Sequence, residues 1–270
     1  MLDCLLHLDD AARKAAYDNT SAVANSAAQL ADFEARSAAL VQHTRAQLDL
    51  PYGAAERQRF DFFAGDPGAA TLLFIHGGYW QMRHKNTFRF VAQGALQHGV
   101  NAALLGYTLA PQATLTQIVQ EVREGIAAVR AHALHNGGAD KLLLCGWSAG
   151  GHLTAMGLDA PGVVAGLGIS GIYDLGPIAH NYLNAALQLS EAEVHTLSPL
   201  RLPVVPKPFI SAYGTAELPQ LQLQSQAFAE HRKAAPDDML LPVDGADHFS
   251  ILHALAQPQG ALLQALLAHR

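Results

Sequence analysis

The chain has 270 residues and a mass of 28.7 kDa, half of it (50%) AVILMFWYC, with 15% charged residues where soluble proteins carry about 25%. Such a composition excludes global disorder and supplies a large core, within the length range of one large α/β or all-β domain or of two average ones. A formal net charge of −6, a pI near 6.1 and 17 Lys and Arg without a basic cluster leave no electrostatic footprint for nucleic acid or an anionic membrane, so neither is an expected partner.

The N-terminus, MLDCLLHLDD, has no basic segment before its short apolar patch and meets Asp9 and Asp10 at once. It does not read as a secretory signal, and a cytoplasmic location is the expectation. Cys4 and Cys145 lie far apart, which argues against a disulfide framework. Residues 10–50 are rich in Ala, Gln and Leu, with Ala27, Leu30, Ala31 and Phe33 at helical spacing and Pro51-Tyr52-Gly53 closing the stretch. One or two helices are expected there, as an N-terminal helical extension over 1–50.

From Arg57 onward short apolar runs alternate with helical patterns. The runs are RFDFF (59–63), TLLFIHGG (71–78), VNAALLGY (100–107), KLLLCGWSAGG (141–151), VVAGLGIS (163–170), PFISAYG (208–214) and DMLLPV (238–243). Helices are expected at 86–98, 114–135, 148–158, 219–234 and 258–269. Strands buried on both faces are near-continuous apolar runs, and their alternation with helices indicates a mostly parallel sheet covered on both sides. That makes 1–270 a single α/β domain. Residues 90–120 contain no Asp, Glu, Lys or Arg, but Gln93, His98, Asn101, Pro111 and several glycines disqualify them as a membrane span. Residues 172–207 break the rhythm with Pro177, Pro199, Pro203 and Pro206 and are expected to form a small lid-like insertion.

The sharpest local feature is Gly146-Trp147-Ser148-Ala149-Gly150-Gly151, directly after the strand KLLLC and before the helical pattern HLTAMGL. A bare G-x-S-x-G arises by chance in roughly one chain of this length in ten, so the strand–turn–helix context carries the inference. That context makes Ser148 a candidate nucleophile on a sharp elbow. His76-Gly77-Gly78-Tyr79-Trp80 follows the strand TLLFI. Its glycine pair lets backbone N–H groups turn toward a neighbouring site, so the N–H groups of Gly78, Tyr79 and Ala149 form a candidate oxyanion hole.

A serine of this kind needs a base and an orienting acid, which follow it in the order acid, then histidine. His248 lies in Gly245-Ala246-Asp247-His248-Phe249, just after DMLLPV, and Glu217 follows PFISAYG after Thr215-Ala216. Asp244, Asp247 and Asp174 are rival acids. The first two sit so close to His248 in sequence that reaching its Nδ1 would strain the loop, and Asp174 follows an earlier strand. Glu217 is therefore the preferred acid.

Fourteen histidines invite a metal hypothesis, yet neither H-E-x-x-H nor paired C-x-x-C occurs. His132 and His135 read as a solvated helical face, and His152 as a structural residue beneath the elbow. No G-x-x-x-x-G-K-[ST] occurs, and no metal, nucleotide or other cofactor is expected.

At these residues the sequence resembles the α/β-hydrolase superfamily, and H-G-G-Y-W resembles the H-G-G-x-W signature of the kynurenine formamidase (arylformamidase) group. Similar segments include Tyr17-Asp18-Asn19, Tyr107-Thr108-Leu109-Ala110-Pro111, Ser170-Gly171-Ile172-Tyr173-Asp174-Leu175 and Gly214-Thr215-Ala216-Glu217-Leu218-Pro219, leading to Gln224-Ser225. Two positions depart from the group's usual pattern, which has Asp where Glu217 stands and Tyr-Asn where Tyr17-Asp18 stands.

The resemblance implies an α/β-hydrolase fold and acyl transfer through a covalent serine ester, with Ser148 attacking, His248 moving the proton and Glu217 orienting His248. It implies hydrolysis of an aryl formamide such as N-formylkynurenine, hence a place in tryptophan catabolism. A small-ester carboxylesterase with the same triad and a non-catalytic binding protein on the same fold are the alternatives. Tyr79, Trp80 and Tyr107 are expected to contact the aryl part of a small-molecule substrate, whereas Trp147 is expected to pack in the core. Assembly as a homodimer stays open.

Overall fold

A computed structural model describes residues 8–270. Most of the apolar N-terminal patch and Cys4 therefore lie outside the described residues, while Cys145 is a buried free thiol. Three helices open the chain, α1 (Asp10–Ala15), α2 (Asn19–Ala22) and α3 (Ser26–His43), followed by β1 (Ala46–Pro51), β2 (Arg59–Phe63) and β3 (Thr71–Ile75). A 3-10 turn over Lys85–Val91 leads into α4 (Ala92–Gln97), β4 (Asn101–Leu105), α5 (Leu115–His135), β5 (Leu142–Trp147), α6 (Ala149–Gly157) and β6 (Val163–Ile169). The segment 172–207 holds α7 (Gly176–Ala179), α8 (Asn184–Leu187), α9 (Glu191–Thr196) and a 3-10 turn at Pro199–Arg201. The chain ends with β7 (Phe209–Gly214), α10 (Pro219–His231), β8 (Met239–Val243), α11 (His253–Ala256) and α12 (Ala261–Leu267).

The strands form one sheet in the order β1-β2-β4-β3-β5-β6-β7-β8, with the β1–β2 and β2–β4 pairings antiparallel and the others parallel. Every residue of β3, β4, β5 and β7 is buried, because apolar side chains leave both faces into separate cores. One core joins Leu73, Ile75, Leu105 and Leu144 to Ile118, Val122 and Ile126 of α5. The other joins Leu72, Phe74, Leu143 and Leu167 to Phe33 of α3 and to Leu262, Leu263 and Leu266 of α12. α5 shows why its segment is helical: a Thr114–Gln117 capping box starts it, and Ile118, Val122, Gly125, Ile126 and Val129 fall on one buried face.

Register positions the site. Ile75 pairs with Gly146, Trp147 with Ile169, Ile169 with Ala212 and Gly214 with Val243, so the C-terminal ends of β3, β5, β6, β7 and β8 finish along one edge. Ligands of parallel α/β sheets bind outside that edge.

β1 corrects the helical reading of residues up to 50. Within Ala46–Pro51 partly buried Ala46, Leu48 and Leu50 alternate with exposed Gln47, Asp49 and Pro51, and the strand pairs antiparallel with β2. The alternation is only six residues long and continues directly from the composition of α3, which hides its period of two.

A buried charge network ties the 3-10 turn to β2. Lys85, 1% exposed, places Nζ 2.6 Å from Asp61 Oδ1 and 2.6 Å from Asp49 Oδ1, and Arg89 Nε lies 2.7 Å from Asp61 Oδ2. Asp61 is fully buried, so removing Lys85 leaves a carboxylate in the interior with less compensation. Lys85→Met is expected to destabilise the fold by about 3 to 5 kcal/mol in denaturant titration, whereas Asp49→Asn, at an exposed carboxylate, costs about 1 kcal/mol or less. Equal losses at the two positions would contradict this account.

Candidate active site

Ser148 stands alone between β5 and α6, with φ 58° and ψ −120°. A non-glycine residue rarely adopts this conformation, which costs of order 1–3 kcal/mol and persists because its surroundings hold it. The Ser148 N–H donates to Ile169 O on the adjacent strand at 2.7 Å. At Gly150 an added Cβ would lie 2.0 Å from Ile75 O, so α6 comes this close to β3 only with glycine there.

The His76–Trp80 segment leaves β3 through three successive left-handed residues, Gly78 (φ 111°), Tyr79 (φ 50°) and Trp80 (φ 60°). A Cβ at Gly78 would lie 2.1 Å from Met82 O, in a turn closed by the Gln81 and Met82 N–H groups donating to Gly78 O. Among the described residues the N–H groups of Gly78 and Tyr79 meet no backbone acceptor. Ala149 is the first residue of α6, where an N–H has no partner within the helix. His76 itself is fully buried, stacks on Tyr107 at 4.4 Å, and is held neutral by burial, which pushes its pKa down to about 3.

His248 follows β8 and places Nδ1 2.8 Å from Glu217 Oε2. Glu217 Oε1 accepts from Ser170 Oγ at 2.6 Å and from the Gly214 N–H at 2.6 Å. Both carboxylate oxygens are therefore engaged, one by the imidazole and one by the strand ends beside it. The rival acids are occupied elsewhere. Asp174 pairs with Arg201 at 2.8 Å, Asp244 accepts from Thr215 Oγ1, and Asp247 Oδ1 accepts from the N–H groups of Phe249 and Ser250. Ser170 escaped the sequence reading as a site residue. Its signal was a polar residue ending the apolar run VVAGLGIS, and it also has a left-handed φ of 52°.

Ser148 and His248 face one small cleft of about 30 Å³, together with Gly78, Tyr79, Trp147 and Phe249. Asn19, Thr20, Met82 and Arg83 complete its lining. Larger clefts exist, such as one beside α5 lined by Thr116, Gln120 and Glu124, but neither Ser148 nor His248 lines that one. Trp147 is buried as expected, and it also anchors His248: Nε1 donates to His248 O at 2.7 Å with the two rings 4.9 Å apart. The segment 172–207 packs behind the cleft lining, where Asn181 Nδ2 donates to Arg13 O and Leu183 O accepts from Gln81 Nε2.

Two expected substrate contacts fall elsewhere. Trp80 is fully buried with its ring 5.1 Å from His152, edge to face, and Tyr107 is fully buried with its hydroxyl donating to His76 O at 2.8 Å. The left-handed turn sends Trp80 into the core beneath the elbow, and Tyr107, following the neighbouring strand β4, braces the turn from behind. Tyr79 does reach the cleft, but its phenol is tied to the N-terminal segment, donating to Tyr17 O at 2.7 Å and accepting from Asn19 Nδ2 at 2.9 Å.

His152 and His132 make structural contacts. His152 bonds Leu197 O through Nε2, and burial lowers its pKa to about 4. His132, read from sequence as solvated, instead sets its ring edge-on to Phe62 at 4.8 Å, covering β2. Among the described residues no group of three or more His, Cys, Asp or Glu is placed to hold a metal ion, and no helix is long and apolar enough to cross a membrane.

Residues 64–160 match the family described as BD-FAE. The chain is 30% identical over 242 residues to the kynurenine formamidase of Danio rerio, covering 83% of this chain and 82% of that protein. It is 31% identical over 247 residues to the kynurenine formamidase of Salmo salar, covering 82% and 80%. Among solved structures, a putative thioesterase from Silicibacter sp. TM1040 superposes with a TM-score of 0.87 at 25% identity, covering 94% of this chain and 98% of that one. Esterase B of Lactobacillus rhamnosis superposes with a TM-score of 0.70 at 19% identity over 93% and 96%, a likeness of fold.

Proposed function

The chain belongs to the kynurenine formamidase family of α/β hydrolases, and we propose that it cleaves an aryl formamide of the N-formylkynurenine type with Ser148, His248 and Glu217 as its catalytic triad. Ser148 Oγ attacks the formyl carbon while His248 Nε2 takes its proton. The oxyanion that forms is held by the N–H groups of Gly78, Tyr79 and Ala149, each such donor contributing about 3 to 4 kcal/mol where charge develops. His248 then returns the proton to the departing aryl amine. Water, activated by the same imidazole, hydrolyses the formyl-serine ester to formate. Every step uses the chain's own side chains and amides.

The observation that carries this reading is the His248–Glu217 pair opening on the same small cleft as Ser148, in a chain akin to the two fish formamidases over most of its length. The second reading, a small-ester carboxylesterase, is favoured by the likeness to the putative thioesterase.

The two readings separate on acyl length. With one aryl leaving group, kcat/KM is expected to fall from formyl to acetyl to butyryl, since an added methyl-sized group in a tight pocket costs about 1–3 kcal/mol, or ten- to two-hundredfold. A maximum at butyryl, or fast aryl-ester hydrolysis with no turnover of N-formylkynurenine, transfers the assignment to the carboxylesterase.

A further inference from the structure

The cleft holds one cation for which triad chemistry has no use. Arg83 follows the His76–Trp80 turn and lines the cleft with Ser148 and His248. Its aliphatic stem lies against the oxyanion turn, since a Cβ at Gly78 would come within 2.7 Å of Arg83 Cγ. Its backbone is left-handed, with φ 78°, and is held there by Arg57 Nη2 donating to Arg83 O at 2.5 Å. Among the described residues no carboxylate lies within ion-pair distance of its guanidinium. Burial lowers its pKa, with Glu34 acting only through space. A half-buried guanidinium without an anion is an incomplete pair, and its planar fork matches a carboxylate.

A second polar group on the same lining is also incomplete. The Tyr79 hydroxyl spends its only proton on Tyr17 O, so Asn19 must present Nδ2 to Tyr79. Asn19 Oδ1 is thereby left buried without a partner. Such an acceptor is open to an N–H or O–H donor, from water or from a bound molecule. An anion and an N–H donor on one molecule are what the free end of an amino acid carries.

We propose that Arg83 is a specificity-determining residue that binds a carboxylate on the leaving-group side of the substrate. The proposal rests on the formamidase reading for the identity of the leaving group, but not for the presence of the anion. It selects charged over neutral substrates by forming a charge-assisted pair beside the oxyanion turn.

The test measures the ratio of kcat/KM for a carboxylate-bearing substrate to that for its neutral counterpart, in wild type and in Arg83→Gln and Arg83→Lys. One pair is N-formylkynurenine and 2′-formamidoacetophenone; the other is 3-acetoxybenzoate and phenyl acetate. Hydrogen bonds to charged groups contribute about 1.5–3 kcal/mol, so the ratio is expected to fall about 10- to 100-fold in Arg83→Gln, chiefly through KM. It is expected to recover in part in Arg83→Lys. A ratio unchanged by Arg83→Gln in whichever pair is turned over, or a wild type without preference for the charged member, overturns the role of Arg83. Absence of turnover on both formamides, with the ester pair still separating on Arg83, overturns the formamidase reading alone.

Discussion

Ser148→Ala is expected to lower kcat on the best substrate by several orders of magnitude, approaching about a millionfold where the triad acts as a unit. The loss concerns chemistry and not folding. Alanine meets the same backbone strain at φ 58°, and the backbone bond that fixes the elbow, Ser148 N–H to Ile169 O, does not involve the hydroxyl. Unfolding by denaturant should therefore shift by about 1 kcal/mol or less, as for substitutions that create no cavity of consequence. The oxyanion amides remain in place, so some turnover above the uncatalysed rate should survive. A folded Ser148→Ala variant with near-normal activity removes Ser148 as the nucleophile.

The parallel sheet was legible in the sequence because its inner strands are buried on both faces. PFISAYG could be nothing but a buried strand, and Phe209–Gly214 follows it to within one residue. The same logic located the strand ends, and hence Ser148, His248 and Glu217, because chemistry in such a sheet gathers where strands stop. β1 was not legible: an edge strand needs only half its side chains inside, and six residues of weak alternation cannot outweigh a preceding helix of similar composition. Nor were the directions of Trp80 and Tyr107. The direction of Trp80 after its glycine pair depends on three consecutive left-handed residues, and non-glycine residues with that backbone are invisible to propensity. Arg83, Met82 and Asn19 were missed for the converse reason. Their place in the cleft follows from the same turn and from the docking of α2, which are tertiary facts.

Glu217→Gln offers the sharper test of how the base is oriented. The Gly214 N–H is a fixed donor 2.6 Å from Oε1, so in the amide variant the oxygen must stay on that side and the NH2 group must face His248 Nδ1. An NH2 there needs an acceptor, which His248 can offer only by moving its proton to Nε2. That tautomer cannot take the proton of Ser148. The expected loss in kcat is about 10³- to 10⁴-fold, smaller than at Ser148 because the nucleophile and oxyanion amides remain. Asp247→Asn should stay within a few fold of wild type. An asparagine Oδ1 can still accept from the N–H groups of Phe249 and Ser250, and Asp247 holds the turn rather than the imidazole. The same holds for Asp174, whose carboxylate is engaged by Arg201. If Asp247→Asn or Asp174→Asn proves the crippling change while Glu217→Gln turns over freely, the 2.8 Å contact between Glu217 and His248 is not the one that sets the tautomer.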